Sequence, residues 1–216
     1  MYFTESDNCV FDEILKARRI CRKFDGRVPS REDVAAVIEA GRLAPYASIS
    51  SRDVKVFRHF FVMFKGNPLL AEIDHLIREQ SAIDVEGLRQ EMETDSFLRE
   101  FGAGVENLWE GVAKNGLPVF PDPPCLIVVA EWRGARRAER QSLAHTIQNM
   151  WLKATALGLD FNLISPVESM VHNEKFCDLF DLHAGCYGFH ACVLGYRAGE
   201  KLSSPPITSE VHWLKD

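Results

Sequence analysis

Cys125 to Ala130 is the longest uninterrupted apolar run in the chain, and Pro118, Pro121, Pro123 and Pro124 stand just ahead of it. A run this short and apolar, closed by Glu131, reads as a strand covered on both faces. A chain built on such a strand needs layers above and below it, and helical patterns able to supply them are present. Ser30 with Asp33 three residues later is a capping-box candidate, after which Val34, Val37, Ile38 and Leu43 keep helical spacing as far as Pro45. Gln141 to Leu157 carries Leu143, Ala144, Ile147, Met150, Trp151, Leu152, Ala154, Ala156 and Leu157 around much of its circumference before Gly158 stops it. That helix is expected to be buried in the fold or at a subunit interface, too apolar to face water on any side.

Further strands are expected over Val54 to Phe64, Phe161 to Ile164 and Cys186 to Tyr196, the last ending at Gly195, with a helix over Glu168 to Leu182. Residues 67 to 116 are acid-rich and helical. One apolar stripe there runs through Leu69, Leu70, Ile73, Leu76 and Ile77, another through Phe97, Phe101, Val105, Leu108 and Trp109, and the region reads as an excursion over the core. The order is mixed α+β without internal repeats, and 216 residues suit a single domain over 1–216 with that excursion inside it.

Composition narrows the function classes. A formal net charge of −6 argues against nucleic acid as a partner, for which a basic stripe is expected. Met1 to Val10 has no apolar signal core and no apolar run reaches spanning length, so a soluble, cytoplasmic protein with no membrane partner is expected. The six cysteines (Cys9, Cys21, Cys125, Cys177, Cys186, Cys192) show no C-x-x-C spacing and read as small buried hydrophobes with reduced thiols. The seven histidines form no H-E-x-x-H or other ligand pattern, so no metal is assigned.

Any basic site must therefore be local. Arg18-Arg19-Ile20-Cys21-Arg22-Lys23-Phe24 puts four cations into six residues, directly behind Phe11, Ile14 and Leu15 at i, i+3 and i+4. A helix there is expected to turn its apolar face inward and deliver Arg18 at its C-terminal end. The planar, forked guanidinium groups suit a phosphate, whereas the alternative is a solvated basic turn that complements the negative end of the helix.

Five stretches, in order, carry a resemblance. Ile14-Leu15-Lys16-Ala17-Arg18-Arg19-Ile20-Cys21-Arg22-Lys23-Phe24 resembles the opening signature I-L-x-R-R-S-I-R-x-F of the nitroreductase superfamily. Glu39-Ala40-Gly41-Arg42-Leu43-Ala44-Pro45 is similar to the end of that family's second helix, and Pro124 to Ala130 to its central strand. Gln148 to Leu159 resembles its Q-N-x-x-L-A-A-x-x-L-G-L helix, and Ala191-Cys192-Val193-Leu194-Gly195-Tyr196 its final A-x-x-L-G-Y strand. The resemblance implies an α+β fold with a mixed, largely antiparallel sheet flanked by helices and a long buried central helix. It further implies a homodimer holding one FMN at each of two sites in the subunit interface.

By position in the motif, Arg18 and Arg19 would take the phosphate end, and Arg22 the flavin ring or ribityl region, where it would tune the cofactor. Ile20 stands where the family's serine would offer a hydroxyl. Pro45, Tyr46, Ala47 and Ser48 would meet the partner's flavin, without the amide side chain usual in the stretch that follows, here Ile49 to Asp53; Phe57-Arg58 is a candidate for the family's W-R place. Lys201 is the candidate for a further phosphate-binding cation, Ser203 and Ser204 stand where arginines are common, and Arg197 reads either as a phosphate ligand or as a solvated turn residue. Ser165-Pro166-Val167-Glu168 stands where the family's backbone N–H groups approach the flavin, and Pro166 having none, Val167 and Glu168 are the implied donors; the same residues also read as a plain N-cap into the helix beginning near Glu168, and both can hold together. Phe97, Phe101 and Trp109 either roof a substrate cleft or belong to the core.

The implied chemistry is a ping-pong transfer of electrons from NAD(P)H through FMN to a nitroaromatic, quinone or similar electrophile, with no protein nucleophile. The lack of a G-x-G-x-x-G fingerprint agrees with a nicotinamide that binds transiently. Two other classes stay open: a non-catalytic protein that sequesters or senses FMN, and an interaction domain with no flavin at all.

Overall fold

The computed structural model describes residues 2–46, 56–134, 137–201, 203 and 208–214. In chain order its elements are α1 (Glu5–Ala17), α2 (Arg31–Arg42), β1 (Arg58–Phe64), α3 (Leu69–Thr94), α4 (Ser96–Phe101), α5 (Ala103–Asn115), β2 (Cys125–Trp132), α6 (Glu139–Ala156), β3 (Asp160–Leu163), a 3₁₀ helix (Ser165–His172), α7 (Glu174–Asp178) and β4 (Tyr187–Gly195). β2 is covered on both sides, as its composition demands, with Cys125 to Glu131 all buried. It pairs antiparallel with β1 and β4, and β4 pairs antiparallel with β3, giving the order β1-β2-β4-β3.

Alternate side chains of a strand face opposite sides. Leu126, Val128 and Ala130 therefore enter one apolar cluster, beneath α3, the 3₁₀ helix and α7, while Cys125, Ile127 and Val129 enter another, beneath α2 and α6. Each fully buried aliphatic side chain contributes roughly 1.5–3 kcal/mol, so the two clusters hold the three layers together. α2 begins where Ser30 Oγ accepts the N–H of Asp33 at 3.0 Å. It crosses α6 closely at Gly41, where an added Cβ would lie 2.8 Å from Met150 Cγ.

Several expectations change. The stripe Leu70, Ile73, Leu76 and Ile77 is part of the core itself, because α3 packs directly on the 3₁₀ helix and α7. α4 and α5 lie against α3 and leave Phe97, Phe101, Val105 and Leu108 exposed. The helix expected over Glu168 to Leu182 is broken, since Asn173 Oδ1 accepts the N–H of Phe176 at 3.0 Å and starts α7 afresh. α1 does not turn its apolar face inward: α6 is its helical neighbour, and Phe11 and Leu15 stay exposed. α6 buries Leu143, Ile147, Met150 and Ala154 against the sheet and α2, but Ala144, His145 and Gln148 face outward. Of the cysteines, Cys21, Cys125, Cys177 and Cys192 are buried, burial pushing the Cys125 thiol up to about 12, whereas Cys9 is exposed. β1 begins at Arg58, and Val54 and Lys55 lie outside the described residues.

Candidate functional site

The basic segment leaves α1 at Arg18, whose N–H donates to Ile14 O as the C-cap. It is pinned at once. The Arg18 guanidinium lies 4.3 Å above the Trp151 ring of α6, and Trp151 Nε1 donates to Arg19 O at 3.3 Å. Cys21 N–H donates to Phe161 O at 2.8 Å, Ala198 N–H to Lys23 O at 2.9 Å, and Asp25 N–H to Tyr196 O at 2.9 Å. The cations are thereby carried to the end of β4 and the start of β3, where Gly195 faces Asp160.

Arg19, Arg197 and Lys201 line one groove of about 330 Å³ there, with Ala17, Thr155 and Gly158. Arg197 is neither a free cation nor a solvated turn residue. Its Nε and Nη2 donate to Asp160 Oδ1 at 2.9 and 2.5 Å, and its backbone N–H donates to Asp160 Oδ2 at 2.9 Å. Arg22 lines a second groove of about 400 Å³ with Phe120, Pro121, Asp122, Pro124 and Ala198, and Ser165–Glu168 are not among its walls. Among the described residues, Arg18, Arg19, Arg22, Lys23 and Lys201 form no ion pair, so their charge is available to an anion. Ile20 is exposed beside them and offers no hydroxyl.

β3 leads from this cationic end to the Ser165–Glu168 turn. Val167 is fully buried and anchors the turn, Pro166 is half-buried, and Ser165 is exposed. The 3₁₀ helix opens where β3 ends, and Pro166 has no N–H to offer a ligand there. Glu168 Oε1 lies 3.1 Å from Nδ1 of His190 on β4.

At the same end of the sheet lies a buried polar layer. Arg58 Nε donates to Glu131 Oε2 at 2.5 Å, Ser142 Oγ donates to Glu131 Oε1, and Arg133 Nε donates to Glu139 Oε1 at 2.8 Å. Burial pushes the Glu131 carboxyl up, and the Ser142 and Arg58 bonds oppose that shift. Arg58 Nη1 also donates to Gly41 O at 3.0 Å and Ala44 O at 3.1 Å, and Nη2 to Pro45 O at 3.4 Å. The end of α2 and the following loop are thus clamped from beneath. Tyr46 OH donates to Trp132 O at 3.0 Å and its ring lies 4.3 Å from that of Phe57. Ala47, Ser48, Ile49 to Asp53 and Ser204 lie outside the described residues.

The structure brings Arg18, Arg19 and Lys201 to one end of β3 and Val167 and Glu168 to the other. Phe97, Phe101 and the half-buried Trp109 sit on α4 and α5, across the sheet from Arg18 and Trp151. The polar layer is not legible from local sequence patterning. Its one signal was Glu131, an acid closing a strand buried on both faces, which requires a buried partner.

The nitroreductase family model matches residues 15–196. This chain belongs to the nitroreductase family. Among curated proteins none matches it. Solved structures share its fold: a Bacteroides fragilis nitroreductase with bound FMN is 21% identical with TM-score 0.68, over 95% of this chain and 98% of that one. A Desulfitobacterium hafniense nitroreductase with bound FMN is 20% identical with TM-score 0.64 over the same shares. An iodotyrosine deiodinase bound to FMN and 3-iodo-L-tyrosine is 16% identical with TM-score 0.65, over 95% and 99%. The nitroreductase fold therefore carries more than one chemistry, and among the described residues no helix is long and apolar enough to cross a membrane.

Proposed function

We propose that this chain is an FMN-dependent oxidoreductase that takes electrons from NAD(P)H and passes them to a nitroaromatic, quinone or similar small electrophile, working as a homodimer. The observation that carries the reading is the set of cations that form no ion pair among the described residues at the start of β3, joined by that strand to the Ser165–Glu168 turn. These residues fit FMN. Arg18, Arg19 and Lys201 would hold the phosphate, and the turn would meet the ring on its Glu168 side, the fully buried Val167 serving as its anchor. Arg22, on the Phe120 side, would serve the ribityl half. Arg197, neutralised by Asp160, would keep the Ile20 backbone in place rather than bind phosphate. Pro45, Tyr46, Ala47 and Ser48 would close over the partner's flavin, carried by the Arg58 clamp. Bound FMN supplies hydride acceptance and donation; the protein supplies position and charge.

The two relatives named nitroreductase and crystallised with FMN support this reading. The exposed Ile20 in place of a hydroxyl favours one competitor, a protein that binds FMN without turning over. Anaerobic titration of the purified protein separates them. The oxidoreductase is yellow, bleaches with NADH or NADPH and recovers its colour with a quinone. A yellow protein that neither nicotinamide bleaches is the binding protein, and a colourless one that takes up no added FMN sinks both.

A further inference from the structure

His190 is a buried imidazole whose position the fold does not require. It sits on β4 opposite Val129, 8% exposed, on the face covered by α6. A valine there would extend the apolar cluster beneath it. Its Nδ1 faces Glu168 Oε1 at 3.1 Å across the edge that β4 presents once β3 has ended, and has no hydrogen-bond partner of good geometry among the described residues. The Glu168 carboxylate reaches water on its other side, its side chain being 39% exposed.

The surroundings are charged on every side. Burial holds the imidazole's titration below its ordinary value, the Glu168 carboxylate from the 3₁₀ helix opposes that shift, and Arg140 of α6 adds to it. On β2, Glu131 stands opposite Gly188, two residues along β4, its charge taken up by Arg58. Glu139 of α6 closes over Gly188, where an added Cβ would lie 2.5 Å from its Cγ, and is paired with Arg133. Glu131 is therefore fully engaged and the charge of Glu139 is balanced by Arg133, though Glu139 Oε2 has no hydrogen-bond partner among the described residues; Glu168 is the carboxylate that faces His190.

We propose that His190 is a positioning residue: it holds the Glu168 carboxylate and through it fixes the Ser165–Glu168 turn, more firmly when the imidazole is protonated than when it is neutral. A hydrogen bond between charged partners is about twice as strong as a neutral one, so the turn stiffens as pH falls through the imidazole's titration. The inference rests on the flavin reading for the claim that this turn faces the ring, and it makes the affinity of the site for FMN depend on pH.

Two measurements test it separately. The first is the NMR titration of His190 in the protein as purified, wild type against Glu168→Gln. Removing the carboxylate should move the imidazole midpoint down by about one unit, a tenfold loss of proton affinity. An unchanged midpoint overturns the pairing. The second is the FMN dissociation constant against pH for wild type and for His190→Gln, whose amide donates a hydrogen bond without titrating. Wild type should bind FMN several-fold tighter below the His190 midpoint than above it, and the variant should lose that step. His190→Asn serves the same purpose if the glutamine does not fold. A variant that keeps the wild-type step overturns the positioning role. Failure of wild type to bind FMN at any pH overturns the flavin reading instead, and the NMR titration still decides whether the pair exists.

Discussion

Single residues here divide by whether their charge is already answered. Arg18 stacks on Trp151 and has no carboxylate, whereas Lys16, two residues earlier, is paired with Glu13 at 3.0 Å in full view of solvent. Arg18→Ala should therefore weaken FMN binding roughly 10- to 100-fold, the measure of a charge-assisted bond of about 1.5–3 kcal/mol, and Lys16→Ala should leave it unchanged. Equal dissociation constants for the two variants would remove Arg18 from the phosphate site. Among the described residues nothing answers His59: its Nε2 is buried without a hydrogen bond, its ring lies near those of Phe61 and Tyr187, and burial holds its titration below the usual imidazole value. The unfolded chain, with its histidine near 6.5, thus binds a proton that the folded chain refuses, and stability is lost as pH falls below that value. His190 acts in the same sense, while Glu131, pushed up by burial, acts in the opposite one near its own titration. His59→Phe should flatten the fall in melting temperature between about pH 7 and pH 5. A fall as steep as that of wild type would show that His59 contributes nothing to acid sensitivity.

At the scale of elements, the end of α2 depends on a side chain from β1. Arg58 takes the carbonyls of Gly41, Ala44 and Pro45 while its charge is balanced by Glu131, which is fully buried. Arg58→Ala leaves that carboxylate uncompensated and should cost about 3–5 kcal/mol in urea denaturation. Replacing both members, Arg58→Met with Glu131→Met, should recover most of that stability yet leave the Pro45 loop unclamped, so FMN affinity stays low. If the double variant binds FMN like wild type, the clamp has no part in the site.

The same region shows what was legible in the sequence. β2, α2, α6 and β4 could be read because their apolar periodicity and caps are local, and the cations of residues 18 to 23 because they are contiguous. The pairing of Arg58 with Glu131 spans 73 positions and follows only from the antiparallel register. The break at Asn173 was hidden because a capping asparagine and a helical one look alike until the chain bends. The neutralisation of Arg197 by Asp160, 37 positions away, was likewise out of reach of local reading.

As a whole molecule, the described chain has apolar surface to cover. Val10, Phe11 and Leu15 on α1 are exposed, as are Val211, Trp213 and Leu214 near the C-terminus. Large apolar side chains left exposed in this number point to an interaction surface, and a second copy of the chain is the partner that the proposed function requires. Light scattering should give about twice the 24.4 kDa chain mass. Phe11→Glu should shift the protein toward monomer and release FMN together with the partner, whereas a flavin-loaded monomer would refute the two-chain site. The distance between the two halves of that site is not adjustable. β3 runs from Asp160, beside the cations, to Leu163, where the turn begins, and at about 3.3 Å per residue a paired strand is a rigid gauge. On the flavin reading the strand would act as a fixed ruler: riboflavin, which lacks the phosphate, would meet the turn at one end and leave Arg18, Arg19 and Lys201 unanswered at the other, and no shortening of β3 would let it reach both.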